Sequence, residues 1–309
     1  MKVLVTGGLG FIGSSIVELL EREGHEVFVM DDVRSGDRNN VNMDDNRLYE
    51  MDILSEQVED IFREQRFDAV IHQAAQVSVS YSMKNPLEDM ACNVNGTVRM
   101  LDLSVRYKVK KFIYASTAAV YGSPVKPLVN EDTVPNPISP YGLSKLTGEE
   151  YCKMYHRLDP SMSITILRYS NVYGPKQKST GEAGVVTKFL EAMKSNQAIT
   201  VYGDGKQTRD FVYVEDVARA NVLALEERHP FSLYQVGMGQ SITIEELIMS
   251  MSTVFRVSFT INYEPEREGD IRHSKVDISK IVNAYNWRPN TTISKGLEKM
   301  RHYWGWKDV

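Results

Sequence analysis

The chain is poor in cysteine, contains no long apolar run and has no large excess of one charge. Its two cysteines among 309 residues, Cys92 and Cys152, fall on predicted helices without the partner spacing of a metal site, so we expect reduced structural thiols and no metal. No apolar run approaches the roughly 18 residues of a membrane span. The net charge of -5 argues against a general nucleic-acid or membrane-surface binder, but is compatible with a local basic site for a phosphorylated small molecule.

The length and composition indicate a globular protein with more than one core. At 309 residues the chain exceeds what one hydrophobic core usually holds, which predicts one large domain with a smaller lobe. An apolar content of 42% and a charged content of 25% are ordinary for a soluble protein. The chain begins directly with a predicted strand, Lys2–Thr6, so we expect no signal peptide and a cytoplasmic location.

A Gly-x-x-Gly-x-x-Gly turn follows the first strand and leads into an apolar-periodic helix predicted over Phe11–Glu23. Such a turn lets the backbone approach a pyrophosphate, and the helix N-terminus supplies free N–H groups and a positive dipole. Three glycines alone are weak evidence, but strand, turn and helix in this order predict a dinucleotide site. Its predicted residues are Gly7, Gly10, Phe11, Ile12 and Gly13.

The second predicted strand, Glu26–Met30, is followed by an acid, Asp31. An acid at this point lies where a protein would hold the adenosine ribose of a dinucleotide by its hydroxyls. A carboxylate repels a 2′-phosphate, so NAD is favoured over NADP, whereas the nearby Arg34 and Arg38 would soften that preference. The alternative is an aspartate that only caps the strand end.

Short strands and helices alternate along the chain, which predicts a parallel sheet with helices on both faces. Further strands are predicted over Ala69–His72, Lys111–Ser116 and Ile164–Arg168, and helices over Gln57–Gln65 and from Pro86 to Tyr107. Ligands of such sheets bind beyond the carboxyl ends of the strands. The residues at those ends are Thr6, Asp31, Ala74, Thr117 and Tyr169.

We therefore predict an α/β fold, a doubly wound parallel sheet of the Rossmann type with a smaller C-terminal α/β substrate lobe. The cofactor-binding domain is predicted to comprise residues 1–170 and about 208–240, and the lobe residues 171–207 and 241–309. Beyond Arg168 the predicted elements are helix Val185–Ser195, strand Ile199–Tyr202, helix Val217–Glu227, a capping box at Thr243 and Glu246, and strand Phe259–Tyr263.

Tyr141 and Lys145 lie four residues apart in a helix predicted to reach Leu158, so their side chains share one face, roughly 5–6 Å apart at Cβ. A free tyrosine has a pKa of about 10, and a neighbouring ammonium favours its ionised form. Lowering that pKa to about 7 takes roughly 4 kcal/mol, which a partly desolvated lysine and a hydrogen bond from Thr117 would supply together. The pair is then a general base. The alternative is a surface tyrosine and a solvated lysine on an amphipathic helix.

Two further polar residues near the strand ends are interpreted differently. We interpret His72 as a histidine packed at the end of its strand. Asn93, inside the helix from Pro86 to Tyr107, lies either at the surface or behind the strand-end site. The small residues Ala74 and Ala75 would let the backbone pass close to a cofactor.

Together the motifs resemble the extended short-chain dehydrogenase/reductase family, and most closely its UDP-glucose (UDP-galactose) 4-epimerases. The resemblance covers essentially the whole chain. The segments that carry it are TGGLGFIG (6–13), HQAA (72–75), TAAVYG (117–122), YGLSK (141–145), LRYSNVYGP (167–175), RDF (209–211) and REGD (267–270).

The resemblance implies a cofactor, a substrate and a role for each matching residue. NAD would lie on the glycine turn, with Asp31 on its ribose, Asp52 and Ile53 at its adenine, and Ala74, Ala75 and Asn93 as further contacts. Thr117, Tyr141 and Lys145 match the catalytic residues. The positions implied to bind a UDP-sugar are Thr117, Asn171, Val185, Thr200, Tyr202, Arg209, Arg267, Asp270 and Ser274.

The sequence departs from the family pattern at several positions. Ser170 stands where many members have Phe, and Val77 where some have a Lys that reaches the NAD phosphates. Related dehydratases and decarboxylases carry an acid after the threonine, where this chain has Ala118 and Ala119. The difference favours an NAD-dependent 4-epimerase of a UDP-hexose. The alternatives are a UDP-glucuronate 4-epimerase or another nucleotide-sugar enzyme of the family, and a non-catalytic NAD-sensing regulator.

The resemblance also implies an assembly and a substrate range. The helices from Pro86 to Tyr107 and from Tyr141 to Leu158 would pair across a two-fold axis into a homodimer. The serine at position 274 would leave room for a 2-acetamido group on the sugar, so the N-acetylhexosamine forms are expected as substrates too. The alternative is that His273 or a nearby loop closes that space.

Overall fold

The computed structural model describes residues 1–178, 184–226, 229–258, 260–266 and 271–306. Arg267 and Asp270, both implied to bind substrate, lie outside the described residues, as does Phe259, the predicted start of a strand. None of the described helices combines the length and the apolar character that crossing a membrane requires.

The described strands and helices alternate along most of the chain. The strands are β1 Lys2–Thr6, β2 Glu26–Asp31, β3 Leu48–Glu50, β4 Ala69–His72, β5 Lys111–Thr117, β6 Leu128–Val129, β7 Ser163–Tyr169, β8 Asn171–Tyr173, β9 Ile199–Tyr202, β10 Thr208–Arg209, β11 Phe211–Tyr213, β12 Phe231–Val236, β13 Ile242–Thr243, β14 Ile261–Glu264 and β15 Lys275–Val276. The helices are α1 Phe11–Arg22, α2 Val58–Gln65, α3 Val79–Lys84, α4 Pro86–Met90, α5 Gly96–Arg106, α6 Pro140–Leu158, α7 Val185–Lys194, α8 Val214–Glu226, α9 Ile244–Phe255, α10 Ser279–Tyr285 and α11 Ile293–Tyr303.

Seven strands form one parallel sheet in the order β3-β2-β1-β4-β5-β7-β12. Strand order reverses between β1 and β4, and a parallel sheet binds its ligand at the carboxyl ends beside such a switch point. The predicted doubly wound Rossmann sheet is therefore confirmed.

The sheet is covered on both faces by separate hydrophobic cores. One core packs the sheet against α1 and α8, and the other packs it against α2, α5 and α6. Because both faces are buried, the strands are continuous apolar runs: Val3 and Val5 face the first core, and Leu4 between them faces the second.

A third core lies outside the main sheet and joins α7, α9 and α11 to the paired strands β9 and β14. The capping box that opens α9 is present, with Thr243 accepting from the Glu246 N–H and Glu246 accepting from the Thr243 N–H. The domain boundaries given above stay a prediction.

Several predicted elements differ from the structure. The helix predicted from Pro86 to Tyr107 is interrupted by one π-helical turn, Ala91–Asn95, and ends at Arg106. Helix α8 begins at Val214, three residues before the predicted start. Helix α3 was not predicted: its sequence lacks helical periodicity, and Ser78 caps it by accepting from the Tyr81 N–H.

Candidate active site

A cleft of about 1120 Å³ opens at the carboxyl ends of the central strands. It extends from the loops after β1 and β2, past β4 and β5, to side chains of the smaller α/β part around β9. Every predicted strand-end residue except Thr6 lines it. The volume exceeds that of most small-ligand pockets and suits an extended ligand or two ligands side by side.

The glycine turn forms one wall of the cleft. Gly7 has φ +68°, and a Cβ there would lie 2.7 Å from the backbone nitrogen of Ala74, so only glycine lets the two loops meet. Phe11, Ile12 and Gly13 occupy the first turn of α1, whose N–H groups have no acceptor within the helix. This end of the cleft fits an anion such as a pyrophosphate.

Asp31 is held at the floor of the adjoining part of the cleft. Its Oδ2 accepts a hydrogen bond from the Leu9 N–H and its Oδ1 one from the Val33 N–H, both at 2.9 Å. Burial raises the pKa of this carboxyl, although the two backbone donors oppose the shift. Asp52 and Ile53 line the same end of the cleft. The arrangement fits the ribose and adenine of a dinucleotide.

Two lysines that the sequence analysis did not select also border this part of the cleft. Lys176 Nζ donates to Glu18 Oε1 at 2.6 Å and to the Asn40 carbonyl at 2.7 Å, and Lys178 Nζ donates to the Gly36 carbonyl at 2.7 Å. These bonds tie the segment after β8 to the loop after Asp31. The only sequence signal was a pair of basic residues just after the motif that ends in Pro175.

Ala74 and Ala75 line the cleft as predicted, but Asn93 lies behind its wall. The Asn93 side chain is 1% exposed, accepts from the Gln76 N–H at 2.8 Å and donates to Ser144 Oγ at 3.1 Å. The asparagine therefore ties the loop after β4 to helix α6. The structure places it as a support of the site, and direct contact with a cofactor stays a prediction.

His72 is a buried, neutral histidine. Its Nδ1 lies 2.7 Å from Thr6 Oγ1 and its Nε2 3.1 Å from Thr97 Oγ1. Burial lowers the pKa of the imidazole to about 3, with the positive charge of Lys145 as a smaller cause. The interpretation as a packed strand-end residue agrees with this geometry.

Thr117, Tyr141 and Lys145 line the middle part of the cleft, at the carboxyl end of β5. Thr117 ends β5, and its Oγ1 accepts from the Ala119 N–H at 3.1 Å. Tyr141 lies in the first turn of α6, which begins with the cap Ser139 and Pro140. Its backbone N–H donates to Ser82 Oγ at 3.1 Å, so the unpredicted helix α3 supports it.

Lys145 is almost completely buried and donates from Nζ to the Ala115 carbonyl at 3.0 Å. Burial lowers the pKa of its ammonium to about 8. Helix α6 approaches the turn after Thr117 closely, since a Cβ at Gly142 would lie 2.7 Å from the Ala119 carbonyl oxygen. The site can therefore act as a general base beside a hydrogen-bond donor.

A buried ion pair lies behind these residues. Arg168 donates to both carboxylate oxygens of Glu149, at 2.8 and 2.6 Å, and Ser116 Oγ donates to the same carboxylate at 2.5 Å. Arg168 Nη1 also donates to Tyr121 Oη at 2.6 Å. The group joins β5, β7 and α6 next to Thr117 and Lys145. Sequence reasoning missed Glu149, since nothing near it in the sequence identifies its partner.

The predicted substrate residues divide into three groups. Those that line the cleft are Thr117, Asn171, Val185, Thr200, Tyr202 and Arg209. Ser274 does not line it; its backbone N–H donates to the Thr208 carbonyl at 3.2 Å, next to Arg209. Arg267 and Asp270 lie outside the described residues.

Asp210, the residue after Arg209, holds several segments of the chain together by hydrogen bonds. It is fully buried, and its carboxylate accepts from Ser170 Oγ and from the N–H groups of Met238, Gly239 and Val276. Burial raises the pKa of the carboxyl to about 6. Within the described residues, no group of three or more His, Cys, Asp or Glu side chains is placed to hold a metal ion.

The model of the NAD dependent epimerase/dehydratase family matches residues 3–237. The UDP-glucose 4-epimerase of Thermotoga maritima, solved with UDP-glucose, is 39% identical with a TM-score of 0.93, and 99% of each chain is covered. The Thermus thermophilus UDP-glucose 4-epimerase solved with NAD is 38% identical with a TM-score of 0.92, again over 99% of each chain. A UDP-glucuronate 4-epimerase of Thermodesulfobacterium geofontis is 30% identical over 96% of this chain and 94% of its own.

The fold and the cleft define a dinucleotide-binding enzyme of the doubly wound α/β class. The chain belongs to the NAD-dependent epimerase/dehydratase family, the extended branch of the short-chain dehydrogenases/reductases. It is an NAD-dependent nucleotide-sugar epimerase with NAD as its cofactor.

Proposed function

We propose that this enzyme inverts C4 of a UDP-hexose, interconverting UDP-glucose and UDP-galactose. The observation that carries the proposal is the grouping of Thr117, Tyr141 and Lys145 in the cleft at the carboxyl end of β5, where Ala118 and Ala119 follow the threonine. Loss of water or CO₂ from a sugar needs an acid or base beyond the tyrosine, and two alanines supply none. Epimerisation needs only the tyrosine and the cofactor.

In the proposed reaction Tyr141 takes the proton of the C4 hydroxyl. Lys145 stabilises the phenolate with a buried positive charge, and the Thr117 hydroxyl donates to the reacting oxygen. When bound, NAD accepts a hydride from C4 and returns it to the same carbon. The 4-keto sugar turns over between the two transfers and then takes its proton back from Tyr141, so the cycle consumes no second substrate.

The other end of the substrate would be held by the smaller α/β part of the chain. Asn171 and Arg209 line the cleft between the tyrosine and the strand β9, and Thr200 and Tyr202 line it at that strand. A guanidinium suits phosphate oxygens, so Arg209 is proposed to bind the diphosphate. A firmly held diphosphate and a loosely held sugar would allow the sugar to turn over.

The proposed substrates include the 2-acetamido sugars. Ser274 precedes strand β15, which pairs with β6 in the loop that follows Thr117. A small side chain there supports a pocket open to the acetamido group. His273, the residue that could instead close this space, is exposed, and its Nδ1 lies 3.2 Å from Thr208 Oγ1.

The function is tested by incubating the protein with UDP-glucose, UDP-galactose, their N-acetylated forms and UDP-glucuronate, and separating the products. The proposal expects interconversion within the plain pair and within the acetylated pair. The Ser274→Tyr variant should lose interconversion of the acetylated pair and keep that of the plain pair. The tyrosine ring would fill the space for the acetamido group, and overpacking a site costs about 1–3 kcal/mol. Conversion of UDP-glucuronate alone, or of none of the five, would overturn the proposal.

We also propose a homodimer. The outer faces of α3, α4 and α6 expose a continuous set of large apolar side chains: Met83, Leu87, Met90, Leu143, Tyr151, Met154 and Leu158. On α6 their spacings are eight, three and four residues, which places them on one face of the helix as a stripe. An apolar patch of this kind marks a protein–protein interface, and two copies would cover each other across a two-fold axis.

A further inference from the structure

The adenosine end of the cleft carries an arginine that is held by two carboxylates. Arg34 lies three residues after Asp31, and Arg34, Asp32 and Asp52 all line the cleft beside the predicted ribose position. Arg34 Nε donates to Asp32 Oδ2 at 2.5 Å, and its Nη2 reaches the same oxygen and Asp52 Oδ2, the latter at 3.3 Å.

These contacts occupy the part of the guanidinium that would recognise a phosphate. Arginine binds phosphate best through two parallel N–H groups on one edge of its plane. In this chain the Nε–Nη2 edge is directed at Asp32 and Asp52. The 2′-phosphate that distinguishes NADP from NAD carries between one and two negative charges, and here it would meet three carboxylates and an arginine already engaged.

Arg38, the other nearby arginine, is not available to the cofactor. Its guanidinium donates to the carbonyls of Val41 and Met43 and to Asp45 Oδ1 at 2.7 Å, and it does not line the cleft. The expectation that both arginines would soften the preference for NAD is therefore wrong for Arg38.

We propose that Asp32 and Asp52 set the cofactor preference of this enzyme by holding Arg34 away from the 2′ position of the adenosine ribose, in addition to the repulsion from Asp31. An arginine released from both carboxylates would turn to the 2′-phosphate. The chain would then accept NADP through a residue that it already has.

The test is the binding of NADH and NADPH to the full chain freed of cofactor, measured by their fluorescence without sugar substrate. The Asp32→Asn/Asp52→Asn variant keeps both side-chain oxygens that accept from the N–H groups of Arg34 and Leu54. Any change in an adenine contact at position 52 affects both cofactors alike, so the readout is the ratio of the two affinities. The variant should raise the affinity for NADPH relative to NADH at least about tenfold over the wild type, the size of one charge-assisted hydrogen bond.

Adding Arg34→Ala to the double variant separates the two physical causes. If Arg34 binds the 2′-phosphate, the triple variant loses most of the gain. If the triple variant binds NADPH as tightly as the double variant, the gain came only from removing the repulsion between carboxylates and phosphate, and the proposal is wrong. It is equally wrong if the double variant gains nothing. As a control, Asp60→Asn/Asp102→Asn removes two charges from exposed, arginine-paired side chains of α2 and α5 outside the cleft and should leave both affinities unchanged.

Because these measurements need no turnover, they do not depend on the proposed UDP-hexose substrate. Thermal unfolding of each variant checks that the fold is retained.

Discussion

Lys145 reaches from helix α6 to strand β5 and donates a hydrogen bond to the carbonyl of Ala115, two residues before Thr117. The bond fixes the distance between the helix that carries Tyr141 and the strand that carries Thr117. It also buries an ammonium, whose charge is then screened little by water. The Lys145 side chain therefore both fixes the distance between Tyr141's helix and Thr117's strand and places a positive charge at the site.

Replacing the proposed base tests its role. Tyr141→Phe should lower turnover roughly 10²–10⁴-fold, the usual contribution of a general base, and leave UDP binding unchanged. Turnover by steady-state kinetics and UDP affinity by calorimetry check this. Tyr81→Phe is the matched control, because Tyr81 lines the same cleft but its hydroxyl donates to Glu88 on α4, so turnover should tolerate the change. A Tyr141→Phe enzyme with about a tenth of wild-type turnover would show that another group removes the proton.

The buried ammonium of Lys145 predicts an alkaline limit of activity. Burial lowers the pKa of Lys145 to about 8, so the positive charge that favours the tyrosinate is lost as the pH rises through that value. We expect kcat to fall above about pH 8 and not near 10.5, the ordinary value for a lysine. The measurement is the pH profile of kcat, with circular dichroism at each pH as the control for unfolding. Constant kcat up to pH 10 would contradict the prediction.

The carboxyl of Asp210 predicts a pH dependence of stability. Its pKa in the folded state, about 6, is above its usual value of 3.8. The folded state thus binds the proton more tightly, so the stabilisation is complete below the unfolded pKa and is lost as the pH rises through about 6. Across that window the loss is about 3 kcal/mol.

Asp210→Asn isolates this contribution, because the variant cannot titrate there. The free energy of unfolding of wild type relative to the variant, from urea titrations at several pH values, should fall by about 2 kcal/mol between pH 4 and 7. A difference that does not change with pH would show that Asp210 is not the titrating group. The variant is also expected to be less stable at pH 4, since an amide nitrogen cannot accept the hydrogen bonds that a carboxyl oxygen accepts.

The apolar stripe on α6 predicts that two charges per copy disrupt the dimer. Leu143→Glu combined with Met154→Glu would place four carboxylates in the dimer interface. Burying these charges would cost more free energy than the remaining apolar contacts contribute. Light scattering should give a dimer for the wild type and a folded monomer for the variant. Met249→Glu is the control, a still more exposed methionine on α9, outside the proposed interface. A monomeric wild type at micromolar concentration would contradict the homodimer.

The central sheet and the catalytic helix were predictable from the sequence because local signals define them. The bounds of β4 and β9 were predicted correctly, since short apolar runs end at polar residues or at glycine. Helix α6 begins where Ser139 and Pro140 place its cap and first turn.

The features that were missed depend on contacts between residues far apart in the chain. Nothing in the sequence around Glu149 or around Arg168 indicates that these two residues pair. Lys176 binds Glu18, which lies 158 residues earlier in the chain. The buried position of Asn93 follows from the loop that it ties, which no local pattern reveals. Propensity and periodicity describe single elements, while such pairs are fixed only by the packing of several elements.

The central claim is that a hydride leaves C4 of a UDP-hexose and returns to the same carbon of the same molecule. UDP-galactose deuterated at C4, turned over in ordinary water with a catalytic amount of NAD, tests it most directly by mass spectrometry and proton NMR of the product. The account predicts UDP-glucose that keeps the deuterium at C4, with no NADH accumulating. Loss of the deuterium to solvent, or NADH formed in proportion to product, would contradict it.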